Sequence, residues 1–390
     1  MTKSSKITPF MPLTASLVSE PLRNHVDPTS PQQVRMPAAK NLVPMRPADM
    51  LTVLAVLLFD PDREVSDAAR ESLFGVPETM ALRGLSEALP ALVLDVCAKA
   101  FSDREEALVT ILRNNATDDR TFASVATNGR GRVLEIVADN QKRYLRHTEI
   151  IEALYHNPHT PMSTVDRVIE TAVRHEVMID SIPAFEIVAA EIRGDAVPGQ
   201  ENTRFEGMDD EQYLKLLAQF GAFESEKPAP IPAEMENVDE EEPAEVEDEV
   251  RFADLTQKLA KLNLSQRIRL AMVGDKNARS LLIRSPQKLV STAVLRNPRI
   301  TDMEVLNFAQ NRSISEDCVR LISNNRDWTK NYQIAYALTC NPKTPARLAM
   351  RFLSSLFERD LRSVAKNRNI SVAIQRHAKK TLEMKEKRRG

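Results

Sequence analysis

The sequence predicts an all-α fold, an α-solenoid of short stacked helical repeats in two blocks, on three observations. Glycine fills only 10 of 390 positions and aromatic residues only 5%, too little turn and ring chemistry for a sandwich or a barrel. Apolar residues return at helical spacing along most of the chain, and no alternating strand pattern competes with them. A turn motif built on Asn recurs seven times, and because a unit of one helix and one turn buries no core alone, its copies must stack.

Residues 1–45 hold five prolines among the first thirty-one positions, many Ser, Thr and Asn, and no apolar period, which predicts a disordered N-terminal tail. The N-terminal helical-repeat block, 46–192, opens with Leu51, Leu54, Ala55 and Leu58 on one helical face, ended by Asp60-Pro61. Val65, Ala68, Ala69 and Leu73 make the next helix, closed by Gly75 and Pro77. Short helical patterns continue to 190, broken at Pro90, Asn114, Asn128, Asn157 and Pro183. Residues 193–250 read as an acidic flexible linker. Asp209 to Phe220 has the pattern of one amphipathic helix, but 226–249 carries eleven acidic residues against Lys227 alone, a run that repels itself. A basic C-terminal helical-repeat block, 251–384, and a basic tail, 385–390, complete the chain.

The repeat is an Asn followed three positions later by Thr, Ile or Trp and then by a helix start. Its copies begin at Asn114, Asn157, Asn297, Asn311, Asn325, Asn341 and Asn367, with steps of 14, 14, 16 and 26 residues from Asn297 onward. The expected physics is an Asn in the left-handed conformation ending one helix and a Ser, Thr or Asp capping the next. In Asn157-Pro158-His159-Thr160-Pro161 and Asn341-Pro342-Lys343-Thr344-Pro345, Thr is the expected cap and Pro the first helical residue. Thr301 with Glu304 fits a capping box. Phe122, Val165, Val305, Val319 and Ala349 lie eight positions after an Asn; Val125, Val168, Phe308, Ile322, Phe352 and Ala378 lie eleven after it. These define one buried face per helix.

Asp60-Pro61-Asp62-Arg63-Glu64-Val65-Ser66-Asp67-Ala68-Ala69 resembles the second-helix opening of a HEAT-type repeat. The Asn-Pro-x-Thr-Pro turns with an apolar helix after them are similar to the bacterial leucine-rich repeat variant. Together the resemblance covers 50–75, 110–175 and 275–382 and implies an α-solenoid. The leucine-rich repeat variant is associated with an iron–sulfur cluster in a Cys-rich segment. This chain has no such segment, so no redox role carries over.

Charge separates the halves. Residues 251–390 hold 29 Lys and Arg against 11 Asp and Glu, a net of +18, while 1–250 sum to −20. A basic half suggests a polyanionic partner, and the acidic 226–249 run, net −10, is expected to mask it at low ionic strength. Cys97, Cys318 and Cys340 are odd in number and scattered, so they build neither a disulfide framework nor a Cys₄ site. The longest apolar run, Val53 to Phe59, is seven residues where a span needs about 20, so no membrane insertion is expected. Met1-Thr2-Lys3-Ser4-Ser5-Lys6 leads into no hydrophobic export core, which with the cysteine pattern predicts a cytoplasmic protein.

No Gly-rich phosphate loop, Gly-x-Ser-x-Gly elbow or His-Glu-x-x-His pair occurs, and His147, His156, His159 and His175 have no metal-ligand spacing; no catalytic residue, cofactor or metal is expected. Arg299, Arg312, Arg326, Lys343 and Arg368 follow the motif Asn by one or two positions and so fall in turns. If successive helices alternate direction, Arg299 and Arg326 lie on one edge and Arg312, Lys343 and Arg368 on the other, a candidate binding ridge. The same positions also suit answering a helix dipole. Trp328, Tyr332 and Tyr336 form a candidate aromatic surface. By analogy with HEAT-like DNA glycosylases, which use aromatics and an Asp, they are a stacking surface with Asp327 as catalytic acid. The expected function is a non-catalytic adaptor that binds a protein partner; nucleic acid or another polyanion at 251–390 is the second reading and a DNA-repair enzyme the third.

Overall fold

The computed structural model describes residues 13–179, 207–220, 257–259 and 261–387, with Ile182, Phe185 and Ala189. The 226–249 run and residues 388–390 lie outside them. Among the described residues the chain is helical and has no strand. It divides into two compact units, Met1–Ile179 and Asp180–Gly390.

In the first unit, α1 (Gln32–Ala39), α2 (Pro47–Leu57), α3 (Arg63–Phe74), α4 (Glu78–Leu85), α5 (Ala91–Ala100), α6 (Glu105–Arg113) and α7 (Asp119–Asn128) follow one another. They are continued by α8 (Arg132–Asp139), α9 (Gln141–Arg146), α10 (Glu149–His156) and α11 (Met162–Arg174). Helices pack mainly on their next-but-one neighbours: α2 on α4, α4 on α6, α5 on α7 and α6 on α8. That is the geometry of stacked helical repeats. Helix α4 meets α2 closely at Gly84, where a Cβ would sit 2.7 Å from Leu51 Cδ1 and 2.8 Å from the Pro47 carbonyl oxygen. Gly84→Ala is therefore expected to push α4 off α2 and cost about 1–3 kcal/mol in urea unfolding. An unchanged midpoint would show that the two helices separate freely.

The disordered-tail expectation does not hold from residue 13 onward. Two 3-10 turns, Ala15–Leu17 and Glu20–His25, lead into α1, and Val18, Val26, Ala38 and Ala39 are buried against the first repeat. Arg35 in α1 is buried, donating Nε to the Ser30 carbonyl at 3.0 Å and Nη1 to the Asp60 carboxylate. The segment covers the open end of a helical stack, which otherwise leaves apolar surface in water.

The second unit contains α12 (Asp210–Gln219), α13 (Leu264–Val273), α14 (Lys276–Leu282), α15 (Lys288–Val294), α16 (Asp302–Gln310) and α17 (Glu316–Asn324). After them come α18 (Arg326–Thr329), α19 (Tyr332–Cys340), α20 (Ala346–Leu353), α21 (Glu358–Lys366) and α22 (Val372–Lys387). One row runs through α13, α15 and α17, and another through α16, α19 and α21. The aliphatic and Phe residues eight and eleven positions after a motif Asn are buried, while Tyr336, eleven after Asn325, is half-buried.

Helix α12 falls inside the segment expected to be linker, yet it belongs to this unit. Tyr213, Leu217 and Phe220 are fully buried, the Tyr213 hydroxyl donates to the Gln266 carbonyl at 2.9 Å, and the Asp275 amide donates to the Phe220 carbonyl at 3.0 Å. Gln266 clamps the entry to α12 by donating to the Met208 carbonyl and accepting from its amide. Residues 207–220 are thus packed into the second unit, and the linker reading fails there.

Candidate binding surface

The motif turns are built differently from the sequence expectation. Asn114, Asn157, Asn311, Asn325, Asn341 and Asn367 have φ between −72° and −81°, extended rather than left-handed. Each uses Oδ1 to accept the amide two residues on, closing an Asx turn; the Lys343 amide, for instance, donates to Asn341 Oδ1 at 3.0 Å. The amide nitrogen is then left to act at long range. Asn341 Nδ2 donates to the carbonyls of Ala309 at 2.7 Å and Asn311 at 3.2 Å, at the end of α16. Asn157 reaches Ala126 and Gly129 at the end of α7, Asn114 reaches Leu85 and Glu87, and Asn297 reaches Ala271. These are orphan carbonyls at helix C-termini, satisfied by the next repeat. Thr344 does not cap its helix as expected: its hydroxyl donates back to the Leu338 carbonyl at 2.5 Å, and Pro345 takes the cap position.

Several basic residues do the same work. Arg104 donates to the Phe74 and Val76 carbonyls, Arg143 to the Thr117 carbonyl, Arg351 to the Ser323 carbonyl and Lys385 to the Leu356 carbonyl. Lys343, a member of the expected ridge, gives its ammonium to the carbonyls of Ser313 at 3.2 Å and Ile314 at 2.7 Å. Its role is thereby partly that of a clasp between turns. The same contacts place the Arg312 and Lys343 turns side by side, and the Arg368 turn follows α21, which packs on α19. Arg299 and Arg326 follow α15 and α17, which pack together. All five cations are exposed.

The aromatic candidates are largely occupied. Tyr332 and Tyr336 are half-buried between α19 and α21, where the Tyr332 hydroxyl donates to the Asp360 carboxylate and the Tyr336 hydroxyl to Ser363 Oγ at 3.4 Å. Burial, and then Asp360, hold the Tyr332 phenol above its ordinary value. Trp328 is half-buried on α18. Phe357, which the sequence reading passed over, heads α21 at 67% exposure with its ring centroid 4.7 Å from that of Tyr332. Its only sequence signal was an aromatic just before a helix start. Asp327 pairs with Lys330 at 2.8 Å, and that hydrogen bond holds its carboxyl below the usual carboxylate range. A general acid needs the opposite shift.

Both units carry exposed ion pairs, those of the second including Lys215 with Glu211, Lys288 with Asp317, Arg320 with Glu316 and Lys330 with Asp327. In the first, exposed arginines pair with carboxylates: Arg132 with Glu106, Arg146 with Asp119, Arg167 with Asp139 and Arg174 with Glu170. Burial would raise the Asp119 carboxyl, but Arg146 and Arg143 hold it below its ordinary value. Toward the end of the second unit Arg347, Arg359, Lys366, Arg368, Arg376, Lys379 and Lys380 are exposed, and none makes an ion pair among the described residues. Between Arg359 and Leu382 the sequence has seven Lys and Arg and a single acid, Asp360.

His156 Nδ1 lies 2.8 Å from the Glu152 carbonyl, His147 lies by Glu149, and burial lowers His159. Among the described residues no three metal-ligating side chains converge. Burial pushes the Cys97 thiol up to about 12. An open concavity of about 540 Å³ over Pro77, Glu78, Glu105 and Glu106 is lined by carboxylates around Arg104. Among the described residues no helix is long and apolar enough to cross a membrane.

No family model, curated protein or solved structure matches the chain.

Proposed function

We propose that this chain is a non-catalytic adaptor whose stacked helical repeats hold a protein partner. The observation that carries the reading is where the chemistry-bearing side chains go. Asn341, Lys343, Arg351 and Tyr332 join one repeat to the next, and Asp327 is a carboxylate held by Lys330. What remains outward is a series of helix faces and turns, the long surface that repeat proteins use for recognition. A photo-crosslinking residue at Gln310 or Gln333, both exposed, is expected to give one discrete protein adduct in the source cell. Adducts spread over many abundant proteins, or none, would contradict a dedicated protein partner.

A second reading, polyanion binding by the C-terminal repeats, is favoured by the run of exposed cations Arg347, Arg359, Lys366, Arg368, Arg376, Lys379 and Lys380, set against a single acid between Arg359 and Leu382. Uncompensated charge repels itself in the folded state, and a polyanion relieves that repulsion. A HEAT-like family role stays a resemblance of motifs.

A further inference from the structure

We propose that the outer face of α21, with the turn after it, binds single-stranded nucleic acid, its cations holding phosphates and the Phe357 ring stacking on a base. The proposal rests on the polyanion reading and names its ligand. Arg359, Arg362 and Lys366 stand at i, i+3 and i+7, so they share one face of the helix, and all three are exposed. Arg368 extends the row past the helix end. The nine residues of α21 rise about 14 Å, long enough to follow a backbone rather than grip one phosphate.

Between Arg359 and Arg368 the sequence holds one acid, Asp360. Asp360 is turned toward α19, where it accepts from the Tyr332 hydroxyl, and Glu358 is half-buried at the helix start. Ser363, on the same face between Arg359 and Lys366, accepts from Tyr336, so a half-buried aromatic ring borders the cations. Phe357 supplies an exposed ring at the head of the helix, fixed against Tyr332 and by its amide, which donates to the Tyr332 hydroxyl at 3.1 Å. Cations that track a backbone beside an exposed aromatic suit unpaired bases, whose faces a duplex hides in its stack. An acidic protein would use the cations and leave Phe357 without a role.

The test uses the full-length chain and four fluorescent probes of matched charge: an oligo-dT, an oligo-U, a DNA duplex and a poly-glutamate, each over a salt series. The expected result is tighter binding of both single strands than of the duplex or the peptide. Replacing Arg359, Lys366 and Arg368 together by alanine should flatten the slope of log affinity against log salt by about 2 for the single strands. Phe357→Leu, which keeps apolar contact with Tyr332, should weaken the single strands by about tenfold and leave the duplex unchanged. Unaltered helicity and unfolding midpoints make these readouts independent of folding. Equal binding of poly-glutamate and oligo-dT would overturn the single-strand assignment while leaving polyanion binding in place. Wild-type protein that binds no probe at low salt would overturn both, and a triple variant with unchanged slope would overturn this location.

Discussion

Glu304→Ala is expected to destabilise the second unit by about 3–5 kcal/mol, because it strands a buried guanidinium. Arg279 on α14 is fully buried, and it donates Nε to Glu304 Oε1 at 2.8 Å, Nη2 to Oε2 at 3.1 Å and Nη1 to the Gly274 carbonyl at 3.0 Å. Glu304 on α16 is buried as well and accepts from the Thr301 amide at 3.0 Å, so a helix cap and an inter-repeat ion pair share one carboxylate. Arg279→Met combined with Glu304→Leu should cost less than either single change, since both charges then leave together. Burial by itself would raise the Glu304 carboxyl; the Arg279 and Thr301 donors outweigh it and hold the group below its ordinary value. A depressed folded-state value means stability fully present above the unfolded value of about 4.3 and lost as pH falls through the folded one. Denaturant titrations at neutral and acidic pH check this: the gap between wild type and Glu304→Ala should shrink in acid. A gap that stays constant would remove the pair from the account.

Asn341→Ala is expected to cost about 2–3 kcal/mol. It removes the donors to the Ala309 and Asn311 carbonyls and the acceptor for the Lys343 amide, leaving buried backbone groups unmatched. In a unit of this size that corresponds to a fall of several degrees in the thermal midpoint, about 2–4 °C per kcal/mol. The loss is chiefly between repeats, so amide exchange should quicken at the ends of both α16 and α19.

What was legible in the sequence was local. Caps such as Thr301 with Glu304 and Ser315 over Cys318 rest on residues three apart, and the buried faces follow the helical period, so both could be read from spacing. The 13–45 segment was misread because its burial depends on isolated residues, Val18, Val26, Ala38 and Ala39, spread among prolines with no period. Helix α12 was seen as a pattern but assigned by its acidic neighbours, whereas Tyr213 and Phe220 decide where it packs. The position of the Asn in each turn was plain. Its conformation was not, because Asn suits both a left-handed helix end and the extended Asx turn that the structure shows, and the carbonyl that Asn341 also reaches, Ala309, lies 32 residues away. Separations of 25 residues likewise hid the Arg279 partner and the tie of Tyr332 to Phe357.

Four of the seven motif Asn residues, Asn114, Asn157, Asn297 and Asn341, lock one repeat to another and do not merely form turns. Asn311 and Asn341 separate the two roles. Asn311 accepts the Ser313 amide at 2.7 Å within its own turn, while Asn341 makes the equivalent local bond and also donates into the preceding repeat. The decisive measurement is the difference in thermal unfolding midpoint between Asn311→Ala and Asn341→Ala in the full-length chain. The expected result is a clearly larger fall for Asn341→Ala, by about 1–2 kcal/mol once converted. Equal falls would reduce the motif to a local turn and contradict the inter-repeat lock.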